Sequence, residues 1–572
     1  MPNAQPITTS RPELRSEPDG VSARADVLVL GGGPSGCWAA ITAAETGASV
    51  VLVDKGYCGT SGATASAGTG VWYIEPDAES RERAIQSRET MGGWLVDRRW
   101  MHRVLDKTYE QMNRLAEWGY PFAVDTDGKQ VRKGVQGPEY MRRMRKQVVR
   151  SKVRILDQSP ALELLRNSDG EVVGARGVRR QQGDAWTVHA NAVVVATGGN
   201  AFQSGGLGCD VLTGDGYLMA AEAGAEFSGM EFSNSYAISP TFGTITKTAF
   251  YKFATFYTDD GVLEGAGGQR RTPIAKALLR GPVYAQLDQA PPEIERSLRD
   301  AQPNFFLPFD REGINPFTQR FPITLRLEGT VRGTGGLRLT DNHCATTVPG
   351  LFAAGDSATR ELICGGFTGG GSHNSAWALS SGSFAGEGAA RHALAKRGAT
   401  EEGEGIGVAG LNPTSNVDKE LNEGLIKKLV QDEVFPYDKN YFRSEQALNR
   451  SLANLDDLWT RVEGGLRGGD GYPPYGEASA NALFRAREAA AMVATSRWMY
   501  NAARERTETR GMAKRADHPE LDPAQQQRRV VSGLDTVRNG LDPEKPYSIL
   551  SLVGAEADAA AAVAAKWKAT GH

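Results

Sequence analysis

Three glycines near the start of the chain have the spacing of a phosphate-binding turn. They are Gly31, Gly33 and Gly36, within the run GGGPSG. In such a turn the first glycine bends the chain, the second lets the backbone approach a pyrophosphate, and the third lets a helix pack closely on a strand. Asp54 follows eighteen residues later, where a carboxylate would accept hydrogen bonds from a ribose diol and would disfavour a 2′-phosphate. The spacing predicts dinucleotide binding and leaves NAD and FAD both open.

The residues around this turn have the pattern of a strand–helix–strand unit. An apolar run at 27–30 predicts a strand, small residues at 37–46 predict a helix, and a second apolar run at 49–53 predicts another strand. Pro34 and Ser35 complete the turn where the helix begins. A helix N-terminus presents free N–H groups and a positive dipole end, so it stabilises bound phosphates. Because all parts of the fingerprint are present in register, the glycine spacing is a specific signal.

The length and composition limit the classes of protein to which this chain can belong. Its 572 residues exceed a single core and predict several domains. The net charge of −3 and the sequence pI of about 6.3 give no basic footprint, so we predict no nucleic-acid partner. The five cysteines are scattered without a CxxC motif, so we predict no metal site and a reduced, cytoplasmic protein. No apolar run approaches about eighteen residues, so we predict no membrane span.

Shifts in composition along the chain predict its domains. The first residues are polar and contain prolines without an apolar core region, as in a disordered tail. A meander of short strands that ends on ATGG is typical of a Rossmann-type domain that binds FAD. The predicted divisions are a disordered tail at 1–24, a cofactor-binding domain at 25–227 and 338–405, a capping domain at 228–337, a helical domain at 413–530 and a C-terminal tail at 531–572.

Six motifs stand in one order along the chain. They are GGGPSG with the later Asp54 and Lys55, TSGATASAG at 60–68, ATGG at 196–199, TGDG at 213–216, GLFAAGDSA with HNSAWALSSG at 350–382, and RERTETRG at 504–511. This order resembles the flavoprotein subunits of succinate dehydrogenase and fumarate reductase, a family that includes L-aspartate oxidase and the adenylylsulfate reductase α subunit. The resemblance covers residues 25–225 and 330–520. It implies an α/β fold: an FAD-binding Rossmann-type domain like that of glutathione reductase, an inserted α+β capping domain and a C-terminal helical domain.

The resemblance also implies which residues hold FAD. The glycine turn would flank the pyrophosphate, Asp54 would bind the adenosine ribose, and Ala161 would lie near the adenine. Asp356 would hold the ribityl chain, and the N–H groups of Asn374 and Ser375 would stabilise negative charge at the pyrimidine end of the ring. The full set of implied cofactor residues is Gly31, Gly33, Pro34, Ser35, Gly36, Asp54, Lys55, Thr60, Ser61, Gly62, Ala161, Thr197, Gly198, Asp215, Gly355, Asp356, Asn374 and Ser375.

Several positions depart from the family pattern. Gly62 stands where many members carry the histidine that attaches FAD covalently, so the resemblance predicts non-covalent FAD. Ser239, Glu264 and Val331 stand where succinate and fumarate enzymes carry histidine, arginine and histidine, and a later histidine and arginine are lost in the glycine-rich run 365–371. Without these cations we predict that the chain is not a succinate dehydrogenase or fumarate reductase. The pattern leans towards the adenylylsulfate reductase α subunit, and its flavin loop also resembles that of ketosteroid dehydrogenases.

Hydride transfer needs a substrate carbon over the flavin ring and a group that gives or takes a proton. Arg332 precedes a GTGG turn whose family neighbours face the substrate, Glu264 occupies the family's acid position, and His373 could titrate near the ring. The predicted catalytic residues are Arg332, Arg360, His373, Glu264 and Tyr236. Arg270 and Arg271 could meet an anionic substrate, although paired arginines on a loop are usually solvated.

The pattern as a whole predicts an FAD-dependent oxidoreductase that exchanges a hydride between the flavin N5 atom and an unidentified small-molecule substrate. No second glycine fingerprint follows the first, which argues against a nicotinamide cofactor. The resemblance implies that electrons pass to an external carrier such as a ferredoxin-like iron–sulfur protein. Two alternatives stay open: a flavoprotein subunit that mainly transfers electrons to such a partner, and an enzyme like a ketosteroid dehydrogenase. A homo-oligomer also stays open.

Overall fold

A nine-stranded sheet forms the centre of the molecule. The computed structural model describes residues 11–60, 62–368, 370, 372–398, 402–469 and 471–553. Numbered along the chain, the strands of this sheet are β1 (Arg15–Glu17), β2 (Gly20–Leu30), β3 (Val50–Val53), β6 (Arg154–Leu156), β7 (Ala161–Arg166), β8 (Val172–Arg179), β9 (Asp184–Val195), β17 (Leu351–Ala353) and β18 (Glu404–Gly405). The order is β18-β7-β8-β9-β2-β3-β6, with β1 paired to β2 and β17 to β9.

The strand–helix–strand unit predicted from the glycine turn lies in the middle of this sheet. Strands β2 and β3 pair in parallel, with Val27 opposite Val50. Helix α1 (Pro34–Glu45) connects them. A parallel sheet that is covered on both faces has continuous apolar strands rather than alternating ones. This is why residues 27–30 and 50–53 form apolar runs in the sequence, and both runs are almost fully buried.

The remaining strands form three smaller sheets. The five-stranded sheet contains β11 (Ser235–Pro240), β12 (Thr255–Thr258), β13 (Gly261–Val262), β14 (Val283–Gln286) and β15 (Phe321–Glu328). The four-stranded sheet contains β10 (Phe227–Ser228), β16 (Gly336–Leu337), β19 (Arg529–Ser532) and β20 (Arg538–Leu541), and the two-stranded sheet contains β4 (Gly68–Gly70) and β5 (Gly134–Gln136).

The other helices run between and after these sheets. They are α2 (Gly62–Ala65), α3 (Ala78–Met91), α4 (Arg98–Glu117), α5 (Gly137–Arg150), α6 (Asp215–Glu222), α7 (Arg271–Leu278), α8 (Pro292–Ala301), α9 (Pro303–Glu312), α10 (Gly329–Arg332), α11 (Glu361–Cys364), α12 (Ser372–Ala395), α13 (Glu423–Val434), α14 (Glu445–Gly465), α15 (Glu477–Glu505) and α16 (Ile549–Val553). Among the described residues no helix has a stretch both long and apolar enough to cross a bilayer.

Residues 235–328 build a unit of their own around the five-stranded antiparallel sheet. Its interior is aromatic: Phe250, Phe305, Phe306 and Phe309 are each at most 8% exposed, and the rings of Phe305 and Phe309 lie 5.2 Å apart. Aromatic pairs at such distances add to the free energy gained by burying their area. The aromatic composition of this stretch therefore reflects ring packing inside the unit, and these rings are continuous with the hydrophobic core around the nine-stranded sheet.

Both predicted tails are partly wrong. The first 24 residues were expected to be disordered, but β1 and the first half of β2 lie within them, and Gly20 pairs with Ala185 of β9. The C-terminal tail was expected from residue 531, but β19 crosses that point and Val531 pairs with Phe227. These polar segments are ordered because they pair with distant strands, and local composition carries no signal for such pairing. Helix α16 also lies within the predicted C-terminal tail, and residues 554–572 are outside the described residues.

A buried network of charged side chains joins α11 to the late part of the chain. Arg506 donates to Glu231 (2.9 Å) and to Glu508 (2.7 Å), and all three side chains are fully buried. Glu361 lies beside this network, where it accepts a hydrogen bond from Ser228 (2.6 Å). Burial, together with the neighbouring Glu231 carboxylate, raises the pKa of Glu361 to about 8. Glu361 is therefore largely protonated at neutral pH in the folded protein.

We expect the substitution Glu361→Gln to flatten the pH dependence of stability. The folded-state pKa is raised, so the proton stabilises the fold below the unfolded value of 4.5, and this contribution is lost as the pH rises to about 8. In that interval the free energy of unfolding should fall by about 1 kcal/mol per pH unit in the natural chain and less steeply in Glu361→Gln. Denaturant unfolding at pH 6, 7 and 8 measures both slopes, with the exposed Glu264→Gln as control. Equal slopes in all three proteins would contradict the assignment.

Candidate functional site

One long cavity opens at the carboxyl ends of β2 and β3. Its volume is about 1260 Å³. Its wall is formed by the β2–α1 turn, the loop around α2, the five-stranded unit, the first turn of α12 and the middle of α15. Parallel sheets bind ligands at this edge, outside the carboxyl ends of the strands. The cavity is therefore the candidate site, and its two ends differ in chemistry.

The glycine turn forms one wall of the cavity and has the geometry that a dinucleotide needs. Gly31 has φ +106°, and a Cβ built on Gly36 would lie 1.8 Å from the carbonyl oxygen of Gly31. Neither position tolerates a side chain, since one needs left-handed backbone and the other needs close packing. A Cβ on Gly33, by contrast, would meet no protein atom within 4 Å. The space in front of Gly33 is therefore left free for a ligand.

Asp54 closes this end of the cavity with its carboxylate. Its Oδ2 accepts a hydrogen bond from the amide of Gly32 (2.6 Å), and its Oδ1 accepts one from the amide of Gly56 (2.7 Å). Asp54 thus holds the turn in shape, and its carboxylate lies in the cavity wall where the fingerprint predicts a ribose diol.

Lys55 ties three parts of the chain together at the same end. Its Nζ lies 2.7 Å from Asp215 and 2.9 Å from Glu488 on α15. Burial lowers the pKa of Lys55, but the two carboxylates outweigh it and raise the pKa above its ordinary value. Removing one partner of a buried pair leaves an uncompensated charge, which is strongly destabilising. Lys55 therefore fixes α15 against the cavity rather than pointing freely at a phosphate.

The opposite wall combines the loop around α2 with the start of α12. Gly62 has φ +86° and no atom within 4 Å of a built Cβ. Asn374 and Ser375 lie in the first turn of the 24-residue helix α12, where backbone N–H groups lack intrahelical acceptors and the dipole is positive. The side chain of Asn374 donates to the carbonyl of Val331 (3.1 Å), and its Oδ1 has no donor among the described residues. This wall can donate and accept hydrogen bonds at the edge of a planar ring.

Three cations line the cavity where the five-stranded unit covers it. Lys247 donates to the carbonyl of Ala63 (2.8 Å), and Arg332 lies 3.2 Å from the buried Glu328. Arg271, at the start of α7, also lines the cavity, and its Nε has no hydrogen-bond acceptor in the described part of the chain. Burial lowers the pKa of Arg271, and the nearby Arg332 lowers it further. This end of the cavity is therefore positive and partly unsatisfied.

Comparisons with known proteins agree with this geometry. Residues 26–241 match the model of the FAD binding domain, and residues 433–539 match that of the fumarate reductase flavoprotein C-terminal domain. Two separate matches, in the order that the motifs predicted, span both the nucleotide-binding and the helical parts. The chain belongs to the succinate dehydrogenase and fumarate reductase flavoprotein family. It is an FAD-dependent oxidoreductase, and the prediction of family, fold class and cofactor is confirmed.

Individual relatives give the extent of the similarity. L-aspartate oxidase of Streptomyces coelicolor is 27% identical over 392 residues, which is 62% of this chain and 66% of that enzyme. One subunit of the fumarate reductase (CoM/CoB) of Methanothermobacter marburgensis is 24% identical over 560 residues, which is 87% of this chain and 95% of its own length. The solved structure of an E. coli quinol fumarate reductase FrdA mutant has a TM-score of 0.74 at 21% identity, covering 92% of this chain and 98% of that one. At this identity the structural likeness concerns the fold alone.

Most residues predicted to hold FAD lie in the wall of the cavity. Gly36 and Gly355 lie behind the wall, where a Cβ on Gly355 would meet the Ser35 side chain, and the exposed Thr60 bonds the carbonyl of Tyr57. Ser61 is outside the described residues. The predicted residues that line the cavity are Gly31, Gly33, Pro34, Ser35, Asp54, Lys55, Gly62, Ala161, Thr197, Gly198, Asp215, Asp356, Asn374 and Ser375. The open space at Gly33 and the Asn374 Oδ1, which has no donor among the described residues, are both compatible with FAD in this cavity.

Of the five predicted catalytic residues, only Arg332 lines the cavity. Arg360 is fully buried and acts as a clamp: it bonds the Asp356 carboxylate and donates to the carbonyl of Thr330 (2.7 Å). Tyr236 is 2% exposed, and its hydroxyl donates to the carbonyl of Val434 (2.9 Å). Both are therefore corrected from catalytic candidates to residues that hold the walls in position.

Glu264 and His373 are also displaced from the cavity wall. Glu264 is exposed to solvent just after β13 and does not line the cavity. Its position therefore does not support the role of proton donor that the resemblance implied. His373 lies against Trp72, with ring centroids 4.5 Å apart, and its Nδ1 is 3.2 Å from the Ser372 hydroxyl. His373 therefore does not line the cavity, although the next residue, Asn374, does.

Two cations in the cavity wall, Arg271 and Lys247, were not among the predicted catalytic residues. The sequence predicts that Arg270 and Arg271 both lie on a loop. In the structure α7 begins at Arg271, so Arg270 is exposed and Arg271 lines the cavity. Lys247 carried no motif and was not predicted. Arg271 and Lys247 therefore bring positive charge to the cavity from positions other than those where the family carries its histidines and arginines. The sequence did contain one signal that separates Arg271 from Arg270: a helix can begin directly after a glycine-rich turn, and Arg271 follows such a turn.

Proposed function

We propose that this flavoprotein transfers a hydride between FAD and a small-molecule substrate that carries an anionic group, and that an external carrier exchanges the electrons. Arg271 is the main reason to propose an anionic group on the substrate. Its guanidinium lies in the cavity wall, and its buried Nε lacks an acceptor among the described residues. A buried charge that is not hydrogen-bonded is costly, so such a side chain is a ready partner for an anion. Lys247 and Arg332 supply further positive charge at the same end.

The residues of this chain would divide the work between binding and proton exchange. Bound FAD supplies the atom that accepts or gives the hydride. Arg271 and Lys247 would hold the anionic group, and the N–H groups at the start of α12 would stabilise negative charge on the ring beside Asn374. Arg332 would exchange the proton, since it alone of the predicted catalytic residues lines the cavity and it is held by Glu328.

The proposed substrate is neither succinate nor fumarate. Ser239, which stands at the position of the family's histidine, is fully buried and its hydroxyl bonds the carbonyls of Pro240 and Gly243 (both 3.1 Å). Val331, at the second histidine position, lines the cavity with a side chain that carries no charge and no hydrogen-bonding group. We also propose that FAD is bound without a covalent link, because Gly62 has no side chain to form one.

Absorption spectroscopy and a turnover assay test this function. The purified protein should absorb blue light, as oxidised flavin does, and acid precipitation should release the pigment into the supernatant. A panel of unsaturated and saturated carboxylates, each supplied with an artificial electron donor or acceptor, should give turnover with at least one member, and matched amides should give none. A colourless protein that does not regain absorption with added FAD, or equal activity on acids and amides, would overturn the proposal.

A further inference from the structure

The segment from Lys129 to Arg154 is strongly basic in a chain that is otherwise slightly acidic. It contains ten lysines and arginines and one glutamate, whereas the whole chain has 65 basic and 68 acidic residues. Most of these cations lie on or next to helix α5. Local charge of this density creates a field that extends about one Debye length, about 10 Å at 0.1 M salt. The net charge of −3 for the whole chain gives no indication of this basic segment.

Helix α5 separates its apolar and basic residues onto opposite faces. Tyr140, Met141, Met144 and Val148 are buried. The outer surface consists of Tyr57, Arg142, Lys146, Val149, Arg150 and Lys152, all exposed, and we call it the α5 basic face. Arg142 is neutralised by Glu139 at 2.7 Å. Lys146, Arg150 and Lys152 form no ion pair with any carboxylate in the described ranges, so their charge is available.

This face lies directly behind the loop that lines the cavity. The amide of Gly137, at the start of α5, donates to the carbonyl of Ala67 (2.9 Å), and a Cβ there would lie 1.8 Å from the carbonyl of Thr64. Arg145 donates to the carbonyl of Cys58 (2.7 Å), and its guanidinium lies 3.8 Å from the Tyr57 ring centre. Helix α5 therefore packs directly on the loop around α2. A protein bound on the α5 basic face would be one helix away from the cavity wall.

We propose that the α5 basic face docks an acidic one-electron carrier protein, an inference that rests on the proposed function. Opposite charge on the two partners would steer their encounter and fix its orientation. The exposed Val149 (53%) and Tyr57 (44%) give the centre of the face apolar area that can be desolvated in the complex. In the direction of substrate oxidation, one hydride carries two electrons and one proton. Two carrier molecules each take one electron, and the proton passes to water.

Charge reversal on the α5 basic face tests the docking directly. The variant Lys146→Glu/Arg150→Glu/Lys152→Glu is compared with the control Lys276→Glu/Arg280→Glu/Arg296→Glu, which reverses three exposed cations elsewhere. The probe is a purified plant-type [2Fe–2S] ferredoxin with an acidic surface. Titration calorimetry with the FAD-loaded proteins should give a Kd at least about tenfold higher for the first variant. The natural chain and the control should show the same strong salt dependence, and the first variant a weaker one.

Two further measurements separate this inference from the proposed function. The photoreduced proteins should pass electrons to ferredoxin more slowly only in the first variant, while an uncharged benzoquinone should be reduced equally by all three. Unchanged ferredoxin binding, or equal loss in both variants, would overturn the docking surface. Binding to vesicles with 30% phosphatidylserine that is lost only in the first variant, with ferredoxin binding intact, would overturn it in favour of a membrane. Absent hydride turnover with intact ferredoxin binding would overturn the proposed function alone.

Discussion

The substitution Gly33→Val should give a folded protein that no longer holds FAD. A Cβ at Gly33 meets no protein atom within 4 Å, and the residue has φ −70°, which valine adopts without strain. The fold therefore has no reason to resist the change. The branched side chain would instead occupy the space where the backbone approaches the pyrophosphate. We expect FAD affinity to fall by about 100-fold, as measured by fluorescence titration of the apoprotein.

Two matched variants show whether the loss concerns the cofactor or the fold. Gly281→Val places valine at another open, negative-φ glycine, outside the cavity lining, and should leave FAD affinity unchanged. Gly36→Val drives a Cβ against the carbonyl of Gly31, so it should unfold the turn and abolish both the circular dichroism of the native state and FAD binding. If Gly33→Val bound FAD as tightly as the natural chain, the pyrophosphate would have to lie elsewhere.

The cofactor half of the site was predictable because its determinants are local in sequence. The turn, the helix and Asp54 lie within 30 consecutive residues, and each imposes its requirement on its immediate neighbours. Glycine at a left-handed position and an apolar run in a doubly covered strand are signals that a single sequence displays. This is why dinucleotide binding could be predicted before any tertiary contact was known, whereas the choice of FAD and the full fold class came from the resemblance of the ordered motifs.

The substrate half was less predictable because its geometry depends on contacts between distant segments. Arg360 has the residue type of a catalytic arginine and follows the predicted ribityl-binding turn. Its bonds to the Asp356 carboxylate and to the carbonyl of Thr330, thirty residues away, make it a clamp. The hydroxyl of Tyr236 donates to the distant carbonyl of Val434, and Tyr236 does not line the cavity. The tails were misjudged for the same reason, since β19 and the start of β2 become strands only through their partners. Sequence indicates which groups can do chemistry, but packing decides which of them reach the cavity.

Arg271→Met should weaken anion binding to the holoenzyme while it stabilises the fold. A charge-assisted hydrogen bond contributes about 1.5–3 kcal/mol, so we expect the Kd of a bound carboxylate to rise by about 10- to 100-fold. Benzoate is a suitable probe, and perturbation of the flavin absorption spectrum reports its binding. Arg270→Met is the matched control, since the neighbouring arginine is exposed and outside the cavity lining; it should bind benzoate as the natural chain does.

The stability of the same variant decides whether Arg271 serves the ligand or the fold. Arginines that hold this structure together, such as Arg360 and Arg506, have their guanidinium groups bonded to carboxylates and carbonyls, and their removal should destabilise the protein. The side chain of Arg271 instead forms no hydrogen bond or ion pair with any residue in the described part of the chain and lies beside Arg332, so methionine at this position removes a repulsion and a desolvated charge. We expect the melting temperature of Arg271→Met to rise by a few degrees without ligand and to gain less from added carboxylate than the natural chain does. A fall in melting temperature together with unchanged carboxylate binding would make Arg271 a structural residue, and the anionic substrate would then lose its main support.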